Sequence, residues 1–310
     1  MRVIDSHTAG EPTRVIMDGG PDLGAGSVAE RARVLQDEYH EFCSSVLCEP
    51  RGNDALVGAL LVEPSEVGCT TGVIFFNTVQ NLGMCGHASI GLAVTLAYLG
   101  LIKPGTHRFD TPVGVIAIDL KDKHLVSVTN VESYRLQKDV RVSVKGYGEI
   151  VGDVAWGGNW FFLVKESPVE IIRENIRQLT DLGLDIRRKL ETEGVTGTDG
   201  AWIDHIELYG PPVADQSNSR CFVLVPSGSY DRSPCGTGCS AKMACLASDG
   251  NWREGDHWIQ ESIIGSTYSL SYQARKDGSV DVTIEGRAYV TAEAQLHFDP
   301  SDPYRSGISV

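Results

Sequence analysis

The sequence predicts a mixed α/β protein of the α+β type, in which two similar domains each wrap a curled, mostly antiparallel sheet around a central helix. Three observations support this fold class. The same order of elements occurs twice, each half contains a helix that is apolar or small nearly all round, and short turns such as KDGS join the strands. A helix without a polar face must be enclosed by other structure, and short turns favour antiparallel pairing.

The first half is expected to begin with a hairpin, because two alternating stretches flank a short turn within residues 2–19. A charged amphipathic helix follows from about Ser27 to Phe42. The remaining elements are strands at 55–64 and 71–79, an enclosed helix within 84–100, and strands around 107–120 and 125–131.

The second half repeats this plan. Its elements are strands within 148–167, an amphipathic helix from roughly Arg173 to Glu193, strands at 202–210 and 219–227, an enclosed helix within 233–250, and strands at 258–273 and 280–292. If the halves face each other about a pseudo-twofold axis, we expect the starts of the two enclosed helices to meet at one cleft.

Composition excludes several classes of partner. Twenty-seven basic against 41 acidic residues give a net charge of −14, without the basic cluster that nucleic acid or an anionic membrane requires. No apolar run approaches the roughly 20 residues that span a bilayer, and the first residues lack the apolar segment of a signal peptide. We therefore expect a soluble cytoplasmic protein that binds neither nucleic acid nor membrane.

Two of the eight cysteines stand out. Cys85 and Cys235 each precede a glycine at the start of an enclosed helix, Cys235 directly after Ser-Pro, and Cys239 is a distant third candidate. The other five lie among apolar neighbours, where a free cysteine behaves as a small hydrophobic residue; they are Cys43, Cys48, Cys69, Cys221 and Cys245. In a reducing compartment we expect most of them to be thiols.

Paired thiols at helix starts suggest proton transfer at carbon. A helix N-terminus carries unsatisfied N–H groups and partial positive charge, so it lowers a thiol pKa modestly and binds carboxylate. A single thiolate would suggest nucleophilic catalysis, whereas two equivalent thiols can act as base on one face of a carbon and acid on the other. This is the minimum apparatus for inverting a stereocentre next to a carboxylate.

Several nearby polar residues stay open to more than one interpretation. Asp231, four residues before Cys235, is either a turn or N-cap residue or a partner for a substrate ammonium, which would offset its effect on the thiol. His87 is a thiol partner, a substrate contact or simply a polar residue of the first helical turn. His205 lies on an alternating strand, where a structural histidine is the default, and Thr237 and Ser240 resemble capping residues.

The segments MCGHASIG and DRSPCGTGCSAK resemble the two active-site motifs of the proline racemase family. The likeness runs along essentially the whole chain, through IDSHTAGEPTR, CEPRGNDALVGALL, DTPVG, GDVAWGGNWFFLV, IDHIEL and GRAYVTA. Within that family the segments most resemble the bacterial 4-hydroxyproline 2-epimerases. The resemblance implies a diaminopimelate epimerase-like fold, with a first domain over residues 1–130 plus about 297–310 and a second over 131–296.

The resemblance also implies the chemistry. Cys85 and Cys235 would be the proton acceptor and donor in a reaction that inverts Cα of trans-4-hydroxy-L-proline to give cis-4-hydroxy-D-proline, with no pyridoxal phosphate, metal or other cofactor. The residues implied to contact this imino acid are Gly86, His87, His205, Asp231, Gly236 and Thr237. A homodimer is the assembly that we consider.

Other functions remain in competition. Proline racemase is the close runner-up, and trans-3-hydroxyproline dehydratases resemble the sequence but typically carry threonine where Cys85 stands. Diaminopimelate epimerases would have asparagine at His87. From another class, the CGTGC segment with His87 or His205 could belong to a metal or redox binding module, although its spacing matches no common zinc pattern.

Overall fold

A computed structural model describes residues 1–308, which form two compact units. One unit comprises Met1–Val128 together with the chain from Gly286 onward, and the other comprises Thr129–Glu285. The borders therefore lie at 128/129 and 285/286, compared with the predicted 130/131 and about 296/297. That each unit is an epimerase domain stays a prediction.

The chain contains five α-helices and sixteen strands within the described residues. The helices are α1 (Val28–Glu38), α2 (His40–Leu47), α3 (Gly86–Tyr98), α4 (Ile176–Glu193) and α5 (Gly236–Ser248). The strands are β1 (Arg2–Thr8), β2 (Glu11–Ile16), β3 (Val57–Val62), β4 (Thr71–Phe76), β5 (Asn81–Leu82), β6 (Gly105–Thr111), β7 (Gly114–Leu120), β8 (Leu125–Thr129), β9 (Tyr134–Val144), β10 (Gly148–Trp156), β11 (Trp160–Val164), β12 (His205–Gly210), β13 (Ser219–Leu224), β14 (Trp258–Ser262), β15 (Thr267–Ala274) and β16 (Val280–Gln295).

In the first unit, strands surround helix α3. The order is β1-β2-β3-β4-β6-β7-β8, and the later part of β16 pairs with β1 from Arg2↔Gln295 to Thr8↔Ala288. Every residue of α3 from Gly86 to Leu96 is buried, as the absence of a polar face requires. Helices α1 and α2 bury their apolar residues in a separate cluster with Ile16, Leu60 and Phe76.

The second unit has the same plan around α5. Its strand order is β16-β15-β14-β13-β12-β11-β10-β9, and α5 contacts β9, β10, β11 and β15. Helix α4 packs its buried face, which includes Leu179, Leu182 and Ile186, into a cluster with strand residues such as Phe222. Gly194, with φ of 69°, ends this helix in the left-handed conformation that glycine adopts readily.

Parallel pairs occur wherever a helix connects two strands. The pairs β2–β3 and β4–β6 in the first unit correspond to β11–β12 and β13–β14 in the second, whereas ladders such as β1–β2, β6–β7 and β15–β16 are antiparallel. A parallel connection needs a crossover, and α1 with α2, α3, α4 and α5 supply the four crossovers. This shared pattern confirms the duplicated fold read from the sequence and explains why the sheets are only mostly antiparallel.

One local expectation was wrong, and one strand was missed. The helix expected from Ser27 to Phe42 is two helices, because Tyr39 has a non-helical backbone (φ −123°, ψ 32°) between them. Leu35 and Val46 share one apolar cluster, so the periodicity continues across the break and does not reveal it. Strand β9, which is eleven residues long, was missed because its sequence is largely polar and exposed.

The end of the chain returns to the first unit, as the resemblance implied. Ile308 N–H donates to Glu49 O at 2.7 Å, and the Ser44 hydroxyl donates to Ser306 O at 2.6 Å. The Arg51 guanidinium binds the carbonyls of Tyr304 and Arg305. Within residues 1–308, no helix combines the length and the apolar character needed to cross a membrane.

Candidate active site

Cys85 is the residue immediately before helix α3, in the first unit. Its backbone is extended (φ −138°, ψ 110°) and the residue is 6% exposed. Its carbonyl accepts hydrogen bonds from the N–H of Ser89 at 2.9 Å and from the Ser89 hydroxyl at 2.7 Å. These bonds anchor the Cys85 backbone at the N-terminal end of a helix that is buried from Gly86 to Leu96.

His87 lies against the Cys85 thiol. Its Nδ1 is 3.4 Å from Cys85 Sγ, and its carbonyl accepts a 2.7 Å hydrogen bond from the Thr8 hydroxyl. Helix α3 comes close to the β1–β2 hairpin at Gly91, where a methyl group would lie 2.9 Å from Ser6 Oγ. Of the three roles left open for His87, the structure supports contact with the thiol.

Cys235 holds the equivalent place before α5 in the second unit, but in a different conformation. Its backbone has φ of 59° and ψ of 102°, which is rare for a residue with a side chain and costs on the order of 1–3 kcal/mol. The residue is 5% exposed. Strain of this kind persists where surrounding structure fixes it, and it is frequent in active sites.

A turn of buried polar groups holds this conformation. Asp231 Oδ1 accepts from Ser233 N–H at 2.7 Å, and the Ser233 hydroxyl accepts from Cys235 N–H at 3.1 Å. Asp231 is thus the turn residue that one interpretation of the sequence predicted. Its carboxylate also acts electrostatically on Cys235, so the structural role does not exclude the functional one.

The first turn of α5 is supported by the turn between β10 and β11. Thr237 Oγ1 lies 3.7 Å from Cys235 Sγ and accepts a hydrogen bond from Asn159 Nδ2 at 3.2 Å. The backbone of Gly157 approaches the helix so closely that a methyl group there would lie 2.1 Å from Thr237 O. Thr237 therefore contacts the thiol instead of capping the helix.

His205 lies at the start of β12 and is 4% exposed. Its ring stacks on Phe161 with centroids 4.6 Å apart, and its Nδ1 hydrogen-bonds Asp204 Oδ1. Phe161 in turn packs against Gly238 in the first turn of α5. His205 is thus connected to the Cys235 helix through one aromatic ring.

The electrostatics of Cys235 correct one expectation. Burial raises the pKa of the Cys235 thiol well above its ordinary value, and the negative charge of Asp231, together with that of Glu207 once it is ionised, raises the pKa further. The Gly238 N–H at the start of α5 lowers the pKa, as expected of a helix start, but burial outweighs this modest effect. At neutral pH Cys235 is therefore a protonated thiol.

Three supporting residues were not singled out from the sequence: Asn159, Ser233 and Glu207. Ser233 and Asn159 lie in loops beside the motif, where polar residues are common and uninformative. Glu207 alone gave a usable signal, because it lies two residues after His205 on an alternating strand and so shares its face. A charged residue on a strand that is otherwise buried marks a site to inspect.

The most exposed of the five cysteines read as apolar packing residues is Cys69, which is only partly buried, while Cys43, Cys48, Cys221 and Cys245 are buried. Among the residues described, no group of three or more His, Cys, Asp or Glu side chains is arranged to hold a metal ion.

The sequence profile of the protein family described as Proline racemase matches residues 3–309 of the chain. The chain belongs to the proline racemase family. Its similarity to a 4-hydroxyproline 2-epimerase from Roseibium aggregatum is 66% identity over 308 residues, which covers 99% of both chains. Family members of this kind therefore resemble the chain over its whole length.

Solved structures agree with the fold. A hydroxyproline epimerase from Agrobacterium vitis, determined with bound trans-4-hydroxy-L-proline, matches with a TM-score of 0.93 and 25% identity, covering 100% of this chain and 94% of its own. A phenazine biosynthesis protein of the PhzF family from Bacillus anthracis shares the fold at a TM-score of 0.62 and 13% identity, with coverage of 96% and 99%. The fold class predicted from the sequence is confirmed.

Proposed function

We propose that this chain is a 4-hydroxyproline 2-epimerase that converts trans-4-hydroxy-L-proline to cis-4-hydroxy-D-proline. The observation that carries the proposal is the placement of Cys85 and Cys235, each buried immediately before an enclosed helix of its own unit. The name and bound ligand of the relatives support the choice of substrate. The assignment of the site residues is part of the proposal.

The mechanism uses the two sulfurs as acid and base. The thiolate of one cysteine takes the proton from Cα of the substrate, and the electron pair left on carbon is delocalised into the carboxylate. The thiol of the other cysteine then gives its proton to the opposite face of Cα. Atoms and charge balance, because the reaction exchanges the roles of thiol and thiolate and consumes no other reactant.

The helix starts would hold the substrate carboxylate. The first N–H groups of α3 include those of Gly86 and His87, and those of α5 include Gly236 and Thr237. N–H groups in the first turn of a helix point outward along the helix axis and carry partial positive charge. They would bind the carboxylate and stabilise the negative charge that develops when Cα loses its proton.

Asp231 would couple substrate binding to the acidity of Cys235. Its negative charge raises the thiol pKa. The ammonium of a bound imino acid would neutralise that charge, so the thiol could ionise more readily when substrate is present. His205, which is held by Phe161 and Asp204, would form a further side of the binding site.

The state of the cysteines supports a proposed cellular location. The eight cysteines, all within residues 1–308, are thiols outside any disulfide, which is typical of a reducing compartment, and we place the protein in the cytoplasm. No cofactor enters the proposed reaction. A homodimer stays a prediction that light scattering on the purified protein tests.

Proton NMR in deuterated water tests the function. The protein is incubated with trans-4-hydroxy-L-proline and, separately, with L-proline, and configuration and α-deuterium are followed. We expect hydroxyproline to be inverted with deuterium at Cα. Inversion of proline alone would favour proline racemase, and loss of water from trans-3-hydroxy-L-proline in a third incubation would favour the dehydratase.

A further inference from the structure

Glu207 is a completely buried carboxyl group that the proposed reaction does not use. It lies in the middle of β12 and is 0% exposed. Within residues 1–308, neither of its carboxyl oxygens has a hydrogen-bond partner of normal geometry. A buried carboxylate without partners is very unfavourable, so such a group persists as the neutral acid or serves another group nearby.

The nearby group is the first turn of helix α5. Glu207 Oε2 lies so close to Gly238 that a methyl group on this glycine would be 2.1 Å from the oxygen, and Phe161 closes the same space at 3.0 Å. Gly238 is the residue whose N–H stabilises the Cys235 thiolate. The carboxyl group therefore supports the turn that presents Cys235.

Titratable groups approach Glu207 from four parts of the second unit. They lie on its own strand, on β13, on α5 and in the segment before α5, and they are Tyr209, Cys221, Cys235, Cys239, Lys242 and Asp231. Lys242, the one cation of the set, places its Nζ 4.0 Å from the centre of the Tyr209 ring. Lys242 and the Tyr209 and Cys221 side chains favour an ionised Glu207, whereas Asp231 opposes it.

Burial outweighs these groups and raises the pKa of Glu207 from its ordinary value of 4.5 to about 8. At pH 7 the side chain is therefore a neutral acid. Above about pH 8 it becomes a buried anion, and its charge raises the pKa of Cys235. The two groups titrate as a coupled pair, since each anion disfavours the other.

We infer that Glu207 is a positioning residue for Cys235, which supports the first turn of α5 as a neutral acid and, once ionised, suppresses ionisation of the thiol. The inference deepens the proposed function, because it rests on Cys235 acting as acid and base. Throughout the reaction Cys235 alternates between thiol and thiolate. Glu207 must stay protonated in both states, so it sets an upper pH limit to the activity.

The pH dependence of Cys235 alkylation tests this without relying on epimerisation. Iodoacetamide modification is followed by mass spectrometry of the peptide that contains Cys235, from pH 7 to 9.5, for the wild type, E207Q and the control E261Q. Glu261 is also a buried glutamate of the second unit, but it accepts hydrogen bonds from Val213 and Ala214 N–H. The rates are normalised to those at pH 7.

We expect E207Q to react about tenfold faster than wild type at pH 9.5, the effect of roughly one pKa unit on the thiol. E261Q should follow the wild-type profile. Equal profiles for wild type and E207Q would overturn the inference. If E207Q does not fold, Tyr209→Phe serves instead, because loss of a hydroxyl that favours ionised Glu207 should move the alkaline suppression to higher pH, and an unmoved profile would overturn the inference.

Measurements on the same proteins distinguish a failure of this inference from a failure of the proposed function. If hydroxyproline is not inverted by the wild type but E207Q still changes the Cys235 profile, the proposed function fails and the coupling of the two side chains stands. If hydroxyproline is inverted and the profile does not change, only the role of Glu207 fails. The pH dependence of kcat gives a third measurement. In E207Q the fall of kcat at alkaline pH should move to higher pH.

Discussion

Glu207 and Gly238 fit each other in the second unit, because the carboxyl group occupies the volume that any side chain on the glycine would need. A methyl group on Gly238 would lie 2.1 Å from Glu207 Oε2 and 3.0 Å from Phe161 Cε1. Contacts this short cannot be kept, so either the strand or the start of α5 would have to move. The identity of residue 238 is thus determined by a residue 31 positions earlier.

We predict that Gly238→Ala destabilises the protein by about 1–3 kcal/mol, the usual cost of overpacking, and lowers kcat through displacement of Cys235. Chemical denaturation measures the stability. In the double variant E207A/G238A the alanine methyl group should fit the vacated space, so the double variant should lose less than the sum of the two single losses. Additive losses would show that the two residues do not compete for one volume.

The elevated pKa of Glu207 also predicts how stability varies with pH. A carboxyl group with a folded-state pKa of about 8 and an ordinary value of 4.5 retains its proton in the folded protein but not in the unfolded chain between those values. Its stabilising contribution is complete below about pH 4.5 and is lost as pH rises to about 8.

Relative to E207Q, the wild type should therefore lose on the order of several kcal/mol between pH 5 and 8. Urea denaturation at steps of half a pH unit measures the difference, with E261Q as the control for loss of another buried glutamate. A constant difference between wild type and E207Q across this range would mean that Glu207 is not held neutral by the fold.

Asp231→Asn should increase the reactivity of the Cys235 thiol in the substrate-free protein and weaken substrate binding. Loss of the negative charge lowers the pKa of Cys235, so alkylation at pH 7 should accelerate about tenfold. Loss of the partner for the substrate ammonium should raise KM by roughly ten- to a hundredfold. Asp277→Asn, an exposed turn aspartate of the same unit, is the control that should change neither.

If Asp231 has only the turn role, then Asn, which can still accept from Ser233 N–H, should leave KM near the wild-type value. That result would remove Asp231 from the binding site.

A planar substrate analogue should protect both catalytic thiols. Pyrrole-2-carboxylate mimics the flattened Cα of the reaction, so it should slow alkylation of Cys85 and Cys235 together while leaving the partly exposed Cys69 unprotected. Mass spectrometry of the three peptides measures the protection. Retention of activity after confirmed modification of both Cys85 and Cys235 would contradict the mechanism.

The two enclosed helices could be predicted because their sequences have no polar face, and the cysteines because of their position before those helices. The four parallel ladders could not, since a buried strand reads alike in either direction. The tail that returns to Glu49 was placed only by family resemblance. The positive φ of Cys235 leaves no trace in the sequence, because cysteine rarely adopts it and the hydrogen bonds of two other residues, Asp231 and Ser233, enforce it.

The role of Glu207 was missed for an energetic reason. A single glutamate on a strand is usually solvated, and its burial against Gly238 depends on the curvature of the sheet around α5. For the same reason the expected shift in the pKa of Cys235 had the wrong direction: the helix start was expected to lower the pKa, but the pKa is raised. Burial and neighbouring carboxyl groups act through distances that only the folded chain provides.

The central claim is that both thiols are required to invert Cα, and it is tested most directly by proton NMR on Cys85→Ala and Cys235→Ala with trans-4-hydroxy-L-proline in deuterated water. Each variant should lose inversion by at least roughly a thousandfold, because one face of the substrate lacks its proton carrier. Cys69→Ala is the control and should retain it. Inversion at the wild-type rate by either Cys85→Ala or Cys235→Ala would contradict the account.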